Sequence, residues 1–390
     1  MMKVETPEFK SVLTPQLREL LSIFKKHNYE IRIAGGAVRD ILLNITPKDV
    51  DFATTATPDQ MKSMFTSEGV RMINTKGEKH GTITARIDGF NFEDLTINSM
   101  FLGEDGTVYD YFGGYEDLRK RRVIFVGNAR SRIKEDYLRI LRYFRFYARI
   151  ALSPDDHDSY IIEAITENVD GLGKITGERI WMELSKILSG NYVKHIMQRL
   201  ISVGAGPYIG LPPSPDIDEM KTVWERGKTF NLHPITILVS LMKDTNEVLL
   251  FHARCKLSAF ERDLGLFIVE HRQDPTTPHP LKPYQALMFK TDGKLSDIRT
   301  YILELFKYKG NLVLMDEFQK WQPPRFPING HILKDRGVPK GKQFGLVMNK
   351  CKEYWIDNDF APTEKDILSK LPTIIENLGI RVNESNSSNN

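Results

Sequence analysis

The chain has 390 residues and a net charge of +3, and it is 41% hydrophobic and 27% charged. These values are ordinary for a soluble globular protein of two or three domains, and so small a net charge does not by itself predict a nucleic-acid partner. The two cysteines, Cys255 and Cys351, argue against a disulfide framework or a structural zinc site and fit a reducing compartment. No apolar run is long enough to cross a membrane, so no membrane association is predicted.

The N-terminal part alternates between predicted helices and strands. Thr14-Pro15 and Thr57-Pro58 each start a helix, as N-cap and first helical residue. Short apolar runs that predict strands occur at residues 31–34, 70–73 and 82–87. This alternation indicates a domain that combines helices with a sheet.

The stretch from 31 to 55, IRIAGGAVRDILLNITPKDVDFATT, carries the first chemical signal. The Gly35-Gly36 turn lets the backbone approach a phosphate closely, and the N–H groups at the following helix start favour anions. The guanidinium of Arg39 can donate charge-assisted hydrogen bonds to the same anion. Asp49 and Asp51 are predicted on one strand with both carboxylates on the same side, which suits Mg²⁺ with its phosphate ligands. A surface turn before an acidic strand end is the alternative interpretation of either motif alone.

Residues 119–149 form a basic stretch, with eleven Lys and Arg against two acidic residues and a local charge of +9. Aromatic and leucine residues are interleaved with the charges, so the stretch is predicted to be half-buried rather than a solvated face. A basic, aromatic-rich helix near a carboxylate pair fits a polyanionic ligand. The predicted RNA-binding region at its start consists of Arg119, Lys120, Arg121 and Arg122.

The segment KEDYLRILRYFRF (134–146) is predicted to be one helix, on which Glu135 and Asp136 lie one turn before Arg139. A helix held by Asp–Arg salt bridges is the plain interpretation. An Asp beside an Arg also matches the hydrogen-bonding edge of the base C or A. Asp136 can accept a hydrogen bond from the exocyclic amine of the base, and Arg139 can donate one to its ring nitrogen. U and G place a carbonyl against the carboxylate, and such a pair contributes about 1–3 kcal/mol of discrimination. The pair therefore predicts acceptance of C and A.

From about residue 150 onward the pattern is helical. The segment GERIWMELSKIL (177–188) is predicted to be an amphipathic helix with Glu178, Arg179, Glu183 and Lys186 on its exposed face.

These motifs together resemble a known family. GGxVRD, followed by DxD nine residues after Asp40, is similar to the head-domain signature of the polymerase-β-like nucleotidyltransferases, in the branch of CCA-adding enzymes and bacterial poly(A) polymerases. KEDYLRILRYFRF is similar to the EDxxRxxRxxRF motif of the class II enzymes, which are bacterial and eukaryotic. MINTKGEKHGTITARI and GERIWMEL look most like eukaryotic CCA-adding enzymes.

The resemblance implies an α+β fold with four parts. These are a nucleotidyltransferase head with a mixed sheet at 1–129, a helical neck with a nucleotide-selecting helix at 130–190, a helical tRNA-binding body and tail at 191–382, and a disordered tail at 383–390. The implied reaction is template-independent addition of C, C and A to the 3′ end of tRNA from CTP and ATP.

The resemblance also implies the site residues. Asp49 and Asp51 would be catalytic and hold two Mg²⁺. The implied nucleotide-binding residues are Gly35, Gly36, Arg39, Asp94, Asn98, Glu135, Asp136, Arg139, Arg142 and Arg145. Monomer and homodimer both remain open. The expected compartment is the cytoplasm, the nucleus or both, or the mitochondrion if a longer precursor carries a transit peptide.

The head departs from the family pattern at 88–93. In the family, the strand matching GTITARI leads into a longer segment that adds a sheet strand and ends in Arg-Arg-Asp. Here Asp94 and Asn98 match the motif, but Phe92 and Glu93 stand where the arginines are expected. One strand of the head and an arginine pair are therefore expected to be missing. Two alternatives to CCA addition are a poly(A) polymerase of the same branch and an RNA-binding isoform that the missing segment has impaired.

Overall fold

The computed structural model describes residues 2–70 and 94–380. The chain divides into two units, of which the first comprises Met1–Ile217 and Asn246–Leu257, and the second Asp218–Thr245 and Ser258–Asn390. The first unit contains a small sheet, and helices make up most of the rest, so the predicted α+β class is confirmed. Several predicted features lie outside the described residues, namely the strand at 82–87, the strand at 70–73 apart from its first residue, the segment at 88–93 and the tail at 383–390.

The helices around the sheet start at the residues that the sequence predicts. Thr14 accepts a hydrogen bond from the backbone N–H of Leu17, and Thr57 forms a capping box with Gln60. Such caps satisfy N–H groups that have no partner within the helix. The helices of this part are α1 (Pro7–Val12), α2 (Pro15–Lys26), α3 (Gly36–Leu42), α4 (Pro58–Ser67) and α5 (Gly114–Arg119).

Within residues 2–70 and 94–380, the sheet has four strands, which are β1 (Ile31–Ala34), β2 (Asp51–Thr54), β3 (Met100–Leu102) and β4 (Val108–Asp110). Their order is β2-β1-β3-β4, and each neighbouring pair is antiparallel. The sequence analysis predicts a mixed sheet, whereas no parallel pair occurs among the described strands. One face carries buried side chains at alternate positions, including Ile33, Met100 and Leu102. The other face is partly open and carries Asp51 at one edge.

The helices that follow the sheet in the first unit are α6 (Ala129–Glu135), α7 (Arg139–Ile150), α8 (Ser159–Thr166), α9 (Gly177–Leu188) and α10 (Val193–Ser202). The predicted helix at 177–188 is confirmed. Its first residue, Gly177, lies directly against backbone, because a Cβ there would be 1.8 Å from the carbonyl oxygen of Arg254. A larger residue at this position would push the start of α9 away from its neighbour.

Up to residue 380, where the described part of the chain ends, ten further α-helices follow, nearly all of them in the second unit. They are α11 (Ile217–Gly227), α12 (Pro234–Leu238), α13 (Thr245–Cys255), α14 (Ala259–His271), α15 (Lys282–Lys290), α16 (Leu295–Lys309), α17 (Leu312–Lys320), α18 (Gly330–Asp335), α19 (Lys342–Asp357) and α20 (Glu364–Asn377). Most of α13 belongs to the first unit. The last helices of the second unit pack around Trp355, which is buried with Leu333, Val347 and Ile367. Over residues 2–70 and 94–380, no helix has the length and apolar character that crossing a membrane requires.

Candidate active site

The Gly35-Gly36 turn connects β1 to α3, as the sequence predicts. Gly35 has φ 68° and ψ −132°, a conformation that residues with a side chain rarely adopt. Gly36 lies beneath the guanidinium of Arg39, since a Cβ at Gly36 would be 3.4 Å from Arg39 Nη2. Glycine at position 35 therefore permits the turn, and the Arg39 side chain folds back over it.

Arg39 is buried, with 4% of its surface exposed, rather than extended into solvent. Its Nε donates to Asp40 Oδ1 at 2.9 Å, and its Nη1 donates to Asn98 Oδ1 at 2.5 Å. Burial lowers the pKa of Arg39, and so do the charges of Arg149 and Arg145, while Asp40 raises it. The buried Nδ2 of Asn98 has no hydrogen-bond partner among the residues that the structure describes. Two predicted nucleotide-binding residues, 59 positions apart, are thus in direct contact.

Asp49 and Asp51 are both exposed, but they do not share a strand. β2 begins at Asp51, and Asp49 precedes it in a bend, so the prediction of a common strand is wrong. The reason is the register: Asp51 pairs with Ala34, the last residue of β1, and the chain then turns at Gly35, so β1 offers no partner for Asp49.

The two carboxylates nevertheless suit a divalent cation. Neither the Asp49 nor the Asp51 carboxylate has a hydrogen-bond or ion-pair partner within residues 2–70 and 94–380. Unpaired carboxylate oxygens are ligands that Mg²⁺ takes, and Mg²⁺ keeps several waters and phosphate oxygens as well. No larger group of His, Cys, Asp or Glu that could hold a metal ion occurs in the described part of the chain.

The prediction of one continuous helix over 134–146 is wrong, because the helix is interrupted at Asp136. α6 ends at Glu135, Asp136 is extended with φ −153° and ψ 106°, and α7 begins at Arg139. The side chain of Asp136 accepts from the backbone N–H of Leu138 at 3.1 Å. Asp competes in this way with helical hydrogen bonds by offering the backbone a local side-chain partner.

The break separates the two residues that are predicted to select the base. Asp136 Oδ2 accepts from Arg179 Nη2 at 2.6 Å. Arg139 Nη1 instead donates to Glu135 Oε2 at 2.5 Å and to the carbonyl oxygen of Arg132 at 2.7 Å. The expected salt bridge between Asp136 and Arg139 within one helix is therefore replaced by two separate pairs. Asp136 is held by Arg179, and Arg139 is held by Glu135.

Arg142 binds Asp94, another predicted nucleotide-binding residue. Its Nε and Nη2 donate to the two carboxylate oxygens at 2.5 and 3.0 Å. Burial raises the pKa of Asp94, but the hydrogen bond and charge of Arg142 outweigh burial, so the pKa lies below its ordinary value. Asp94 is therefore a buried carboxylate that fixes the position of Arg142 on α7.

Arg145 pairs with Glu183 of α9, with 2.7 Å between Nε and Oε2. Glu183 is only 2% exposed, so its predicted place on the exposed face of α9 is wrong. The helical pattern could not reveal this, because burial follows from the packing of α7 against α9. The guanidinium carbons of Arg39, Arg142 and Arg145 lie 5.1, 5.7 and 4.2 Å from the centre of the Phe146 ring, so three predicted arginines surround one aromatic ring.

Sequence reasoning missed the ion pair between Asp40 and Arg149. Arg149 Nη2 donates to both carboxylate oxygens of Asp40 at 2.9 Å, which ties the end of α7 to α3. Asp40 follows Arg39 in GGAVRD, and Arg149 continues the helical spacing of Arg142 and Arg145. A row of arginines on a half-buried helix face needs acidic partners nearby. This requirement was the signal in the sequence that could have indicated the pair.

The predicted RNA-binding region is largely paired with acidic residues of α5. Arg119 and Lys120 both contact Glu116 at 2.9 Å, and Arg122 contacts Asp117 at 2.7 Å. Arg121 has a positive φ of 57° and no ion-pair partner in the described ranges. The local positive charge is thus partly neutralised within the folded unit, and a role of this region in RNA binding stays a prediction.

Two family models match the chain. The Poly A polymerase head domain matches residues 31–93 and 91–124, and a model described as a probable RNA and SrmB-binding site of polymerase A matches residues 158–212. The two head-domain segments meet at 91–93, which is where the sequence analysis expects the shortened segment.

Solved structures with a similar fold are CCA-adding enzymes. The Bacillus stearothermophilus CCA-adding enzyme in complex with CTP aligns with a TM-score of 0.68 at 20% identity, covering 96% of this chain and 99% of the other. The Thermotoga maritima enzyme complexed with tRNA aligns with a TM-score of 0.61 at 18% identity, covering 97% and 100%. At these identities the likeness concerns the fold.

Curated relatives are more similar in sequence. The CCA tRNA nucleotidyltransferase 1, mitochondrial, of Homo sapiens is 46% identical over 402 residues, which span 94% of this chain and 92% of the human protein. The aligned region is longer than this chain, so the human protein carries residues that have no counterpart here. The CCA-adding enzyme of Geobacillus stearothermophilus is 31% identical over 229 residues, covering 50% of this chain and 55% of that enzyme. Because the chain is 46% identical to the human protein over nearly the full length of both, it belongs to the CCA tRNA nucleotidyltransferase family.

Proposed function

We propose that this chain adds C, C and A to the 3′ end of tRNA without a template, using CTP and ATP and releasing pyrophosphate. The observation that carries the proposal is the 46% identity to the human CCA tRNA nucleotidyltransferase over nearly the whole of both chains. The turn at Gly35-Gly36, the exposed carboxylates of Asp49 and Asp51, and the arginine-rich α7 belong to the same unit and supply groups suited to that reaction.

Asp49 and Asp51 are the proposed catalytic residues and ligands of two Mg²⁺. When bound there, Mg²⁺ would favour ionisation of the attacking 3′-hydroxyl and neutralise charge on the triphosphate. The chain itself supplies a glycine turn at which backbone can approach the phosphates. Buried Arg39, held by Asp40 and Asn98, adds fixed positive charge behind that turn.

Asp136 and Arg139 are the proposed base-reading pair. An acceptor beside a donor matches the amine and ring nitrogen of both C and A, and it opposes the carbonyl of U and G. The two side chains lie at the break between α6 and α7 and are held by separate partners, Arg179 and Glu135. Glu135, Arg142 and Arg145 complete the proposed pocket by positioning and by charge.

The tRNA would be held by the helical part of the chain, mainly through shape and phosphate contacts, as duplex RNA usually is. The match of residues 158–212 to a probable RNA-binding model supports this assignment for part of it. The human, zebrafish and mouse relatives are all named as mitochondrial enzymes, which supports mitochondria as one compartment if a longer precursor carries a transit peptide. Localisation of the full-length protein tests that proposal.

The decisive experiment uses tRNA that lacks CCA, with labelled CTP and ATP added separately and together. CCA addition predicts two C residues with CTP alone and a final A only when both nucleotides are present. A poly(A) polymerase, which the head-domain model also describes, would add a run of A without C. An impaired RNA-binding isoform would bind tRNA and add nothing.

A further inference from the structure

The open face of the N-terminal sheet carries an aromatic surface that the proposed site does not use. This surface consists of Arg32 on β1, Phe101 on β3, Tyr109 on β4 and Tyr111 just after β4, and it is called the aromatic face below. The opposite face of the same strands is buried in the core. Tyr111 is 59% exposed, the largest exposure of an aromatic side chain among the large hydrophobic residues that are exposed in the described ranges.

The strand register connects the aromatic face to Asp51. Asp51 pairs with Ala34, Ala34 pairs with Phe101, and Phe101 pairs with Tyr109, so these four residues form one row across the sheet. Directly opposed residues in antiparallel strands have their side chains on the same face. With neighbouring strands about 5 Å apart, Phe101 lies about 10 Å and Tyr109 about 15 Å from Asp51 along this row.

The ring of Tyr111 is held although it is exposed. Arg32 Nη1 donates to its hydroxyl at 3.3 Å, and Phe101 packs against its ring with 6.2 Å between centres. The Arg32 guanidinium itself stacks 3.6 Å from the centre of Tyr109 and donates to Glu30 at 2.7 Å. An exposed aromatic ring that is fixed on two sides loses little entropy when a planar ligand stacks on it.

The surroundings favour a base over a phosphate as that ligand. A cavity of about 410 Å³ adjoins Arg32 and Tyr109, and Glu30, Glu104 and Asp105 line it. Lys25 and Arg32 line it as well and offset two of the three carboxylates, so the cavity has no excess of positive charge that would favour phosphate. The π-face of any base, in contrast, can stack on an aromatic ring.

We propose that the aromatic face binds the last bases of the RNA strand to be extended, with the third base from the 3′ end stacked on Tyr111. The inference rests on the proposed function, which places the attacking 3′-hydroxyl at Asp51. Since stacked bases follow each other at about 3.4 Å, a surface 10–15 Å away meets the last few bases of that strand. The base of the incoming nucleotide is assigned to Asp136 and Arg139, so the sheet face is left for the RNA.

The test uses tRNA that lacks only the terminal A and carries the fluorescent base 2-aminopurine as the third base from its 3′ end. It compares the wild type, Tyr111→Leu, and Tyr111→Phe as the matched control that keeps the ring. Binding to the wild type and to Tyr111→Phe should quench the fluorescence, because stacking does so, while Tyr111→Leu should leave most of it. Stacking on one aromatic residue predicts that KM for tRNA rises about 5- to 100-fold in Tyr111→Leu, with KM for ATP within about twofold of wild type.

The outcomes separate this inference from the proposed function. If the wild type adds C, C and A while Tyr111→Leu retains wild-type quenching and KM for tRNA, the inference is overturned and the proposed function stands. If 2-aminopurine riboside triphosphate is quenched through Tyr111 and the tRNA end is not, the ring serves the incoming base and the inference is again overturned. If the wild type adds no nucleotide but quenches the tRNA end through Tyr111, the inference stands and the proposed function fails.

Discussion

Arg179 of α9 donates from Nη2 to Oδ2 of Asp136 at 2.6 Å and so fixes the carboxylate at the break between α6 and α7. The other carboxylate oxygen accepts from the backbone N–H of Leu138. Each carboxylate oxygen can accept two hydrogen bonds, so Asp136 keeps acceptor capacity for the amine of a base. The two hydrogen bonds that orient the Asp136 side chain are therefore compatible with its proposed role in base selection.

Replacing Asp136 by Ala is expected to weaken the discrimination against UTP and GTP. The variant loses the acceptor that a base amine requires and also the repulsion against a carbonyl, which together predict a loss of about 5- to 100-fold in selectivity. Single-turnover incorporation of each nucleotide measures it. Asp59→Ala, which removes a carboxylate that is 95% exposed, is the matched control and should keep wild-type selectivity. Unchanged nucleotide choice in Asp136→Ala would assign this residue a structural role alone.

Replacing Asp51 by Ala is expected to abolish transfer while tRNA binding stays within about twofold of wild type. A carboxylate that holds the cation acts on the chemical step, and its loss predicts a decrease in the incorporation rate on the order of a thousandfold. Rapid-quench incorporation and filter binding measure the two effects, again with Asp59→Ala as control. Turnover of Asp51→Ala comparable to wild type would refute the metal assignment.

Replacing Arg149 by Gln is expected to destabilise the first unit. The change leaves Asp40, which is 8% exposed, with Arg39 as its remaining cation, and it should lower the free energy of unfolding by about 1–3 kcal/mol. KM for CTP and ATP should rise, because Asp40 also orients Arg39. Urea unfolding and steady-state kinetics measure both effects.

The control for Arg149 is Arg130→Gln, which removes an exposed pair with Glu167. Pairs of that kind contribute about 0–1 kcal/mol. Equal losses of stability in the two variants would show that the burial of Asp40 gives its pair with Arg149 no additional stabilising effect.

The shortened segment at 88–93 is expected to make this chain slower and less stable than a version that carries the full segment with Arg-Arg-Asp. Each buried backbone group that loses its partner costs about 1–3 kcal/mol, against a total stability of about 5–15 kcal/mol. Loss of the arginine pair also removes positive charge near the nucleotide. Incorporation assays on both versions, with hydrogen exchange across residues 30–130, measure the difference. Equal rates and equal protection would show that the segment is dispensable.

Stability is expected to fall as the pH falls from about 6.5 to 4, in part because of His157. Burial and the charge of Arg199 lower the pKa of His157 to about 4, while Asp155 and Asp156 raise it. Between the ordinary value of 6.5 and this one, the unfolded chain binds a proton that the folded chain does not, so lower pH favours unfolding.

His157→Asn tests this assignment. Asn can still hydrogen-bond with the Tyr143 hydroxyl but has no proton to gain in this range, so this part of the pH dependence should disappear. Urea unfolding between pH 7 and pH 5 measures it. An identical pH slope in wild type and variant would assign the effect to other groups.

The sequence by itself determined the local features of this protein. Thr14 and Thr57 mark helix starts because a cap needs only a hydroxyl three residues before a free N–H. The Gly35-Gly36 turn follows from a backbone conformation that excludes larger residues. The family could be recognised from GGAVRD, DVD and EDYLRILRYFRF, because these motifs keep fixed spacings within short segments.

Only the tertiary structure decided the partners of the charges. The basic stretch at 119–149 has few acidic residues of its own. The acidic partners of its arginines therefore lie on distant segments. The pairs are Arg142 with Asp94, Arg145 with Glu183 and Arg149 with Asp40. The charged partner of Asp136 at the helix break is likewise distant, since Arg179 lies 43 residues later. Burying a charge requires an opposite charge nearby in space, and a period of 3.6 or 2 carries no information about which distant residue provides it.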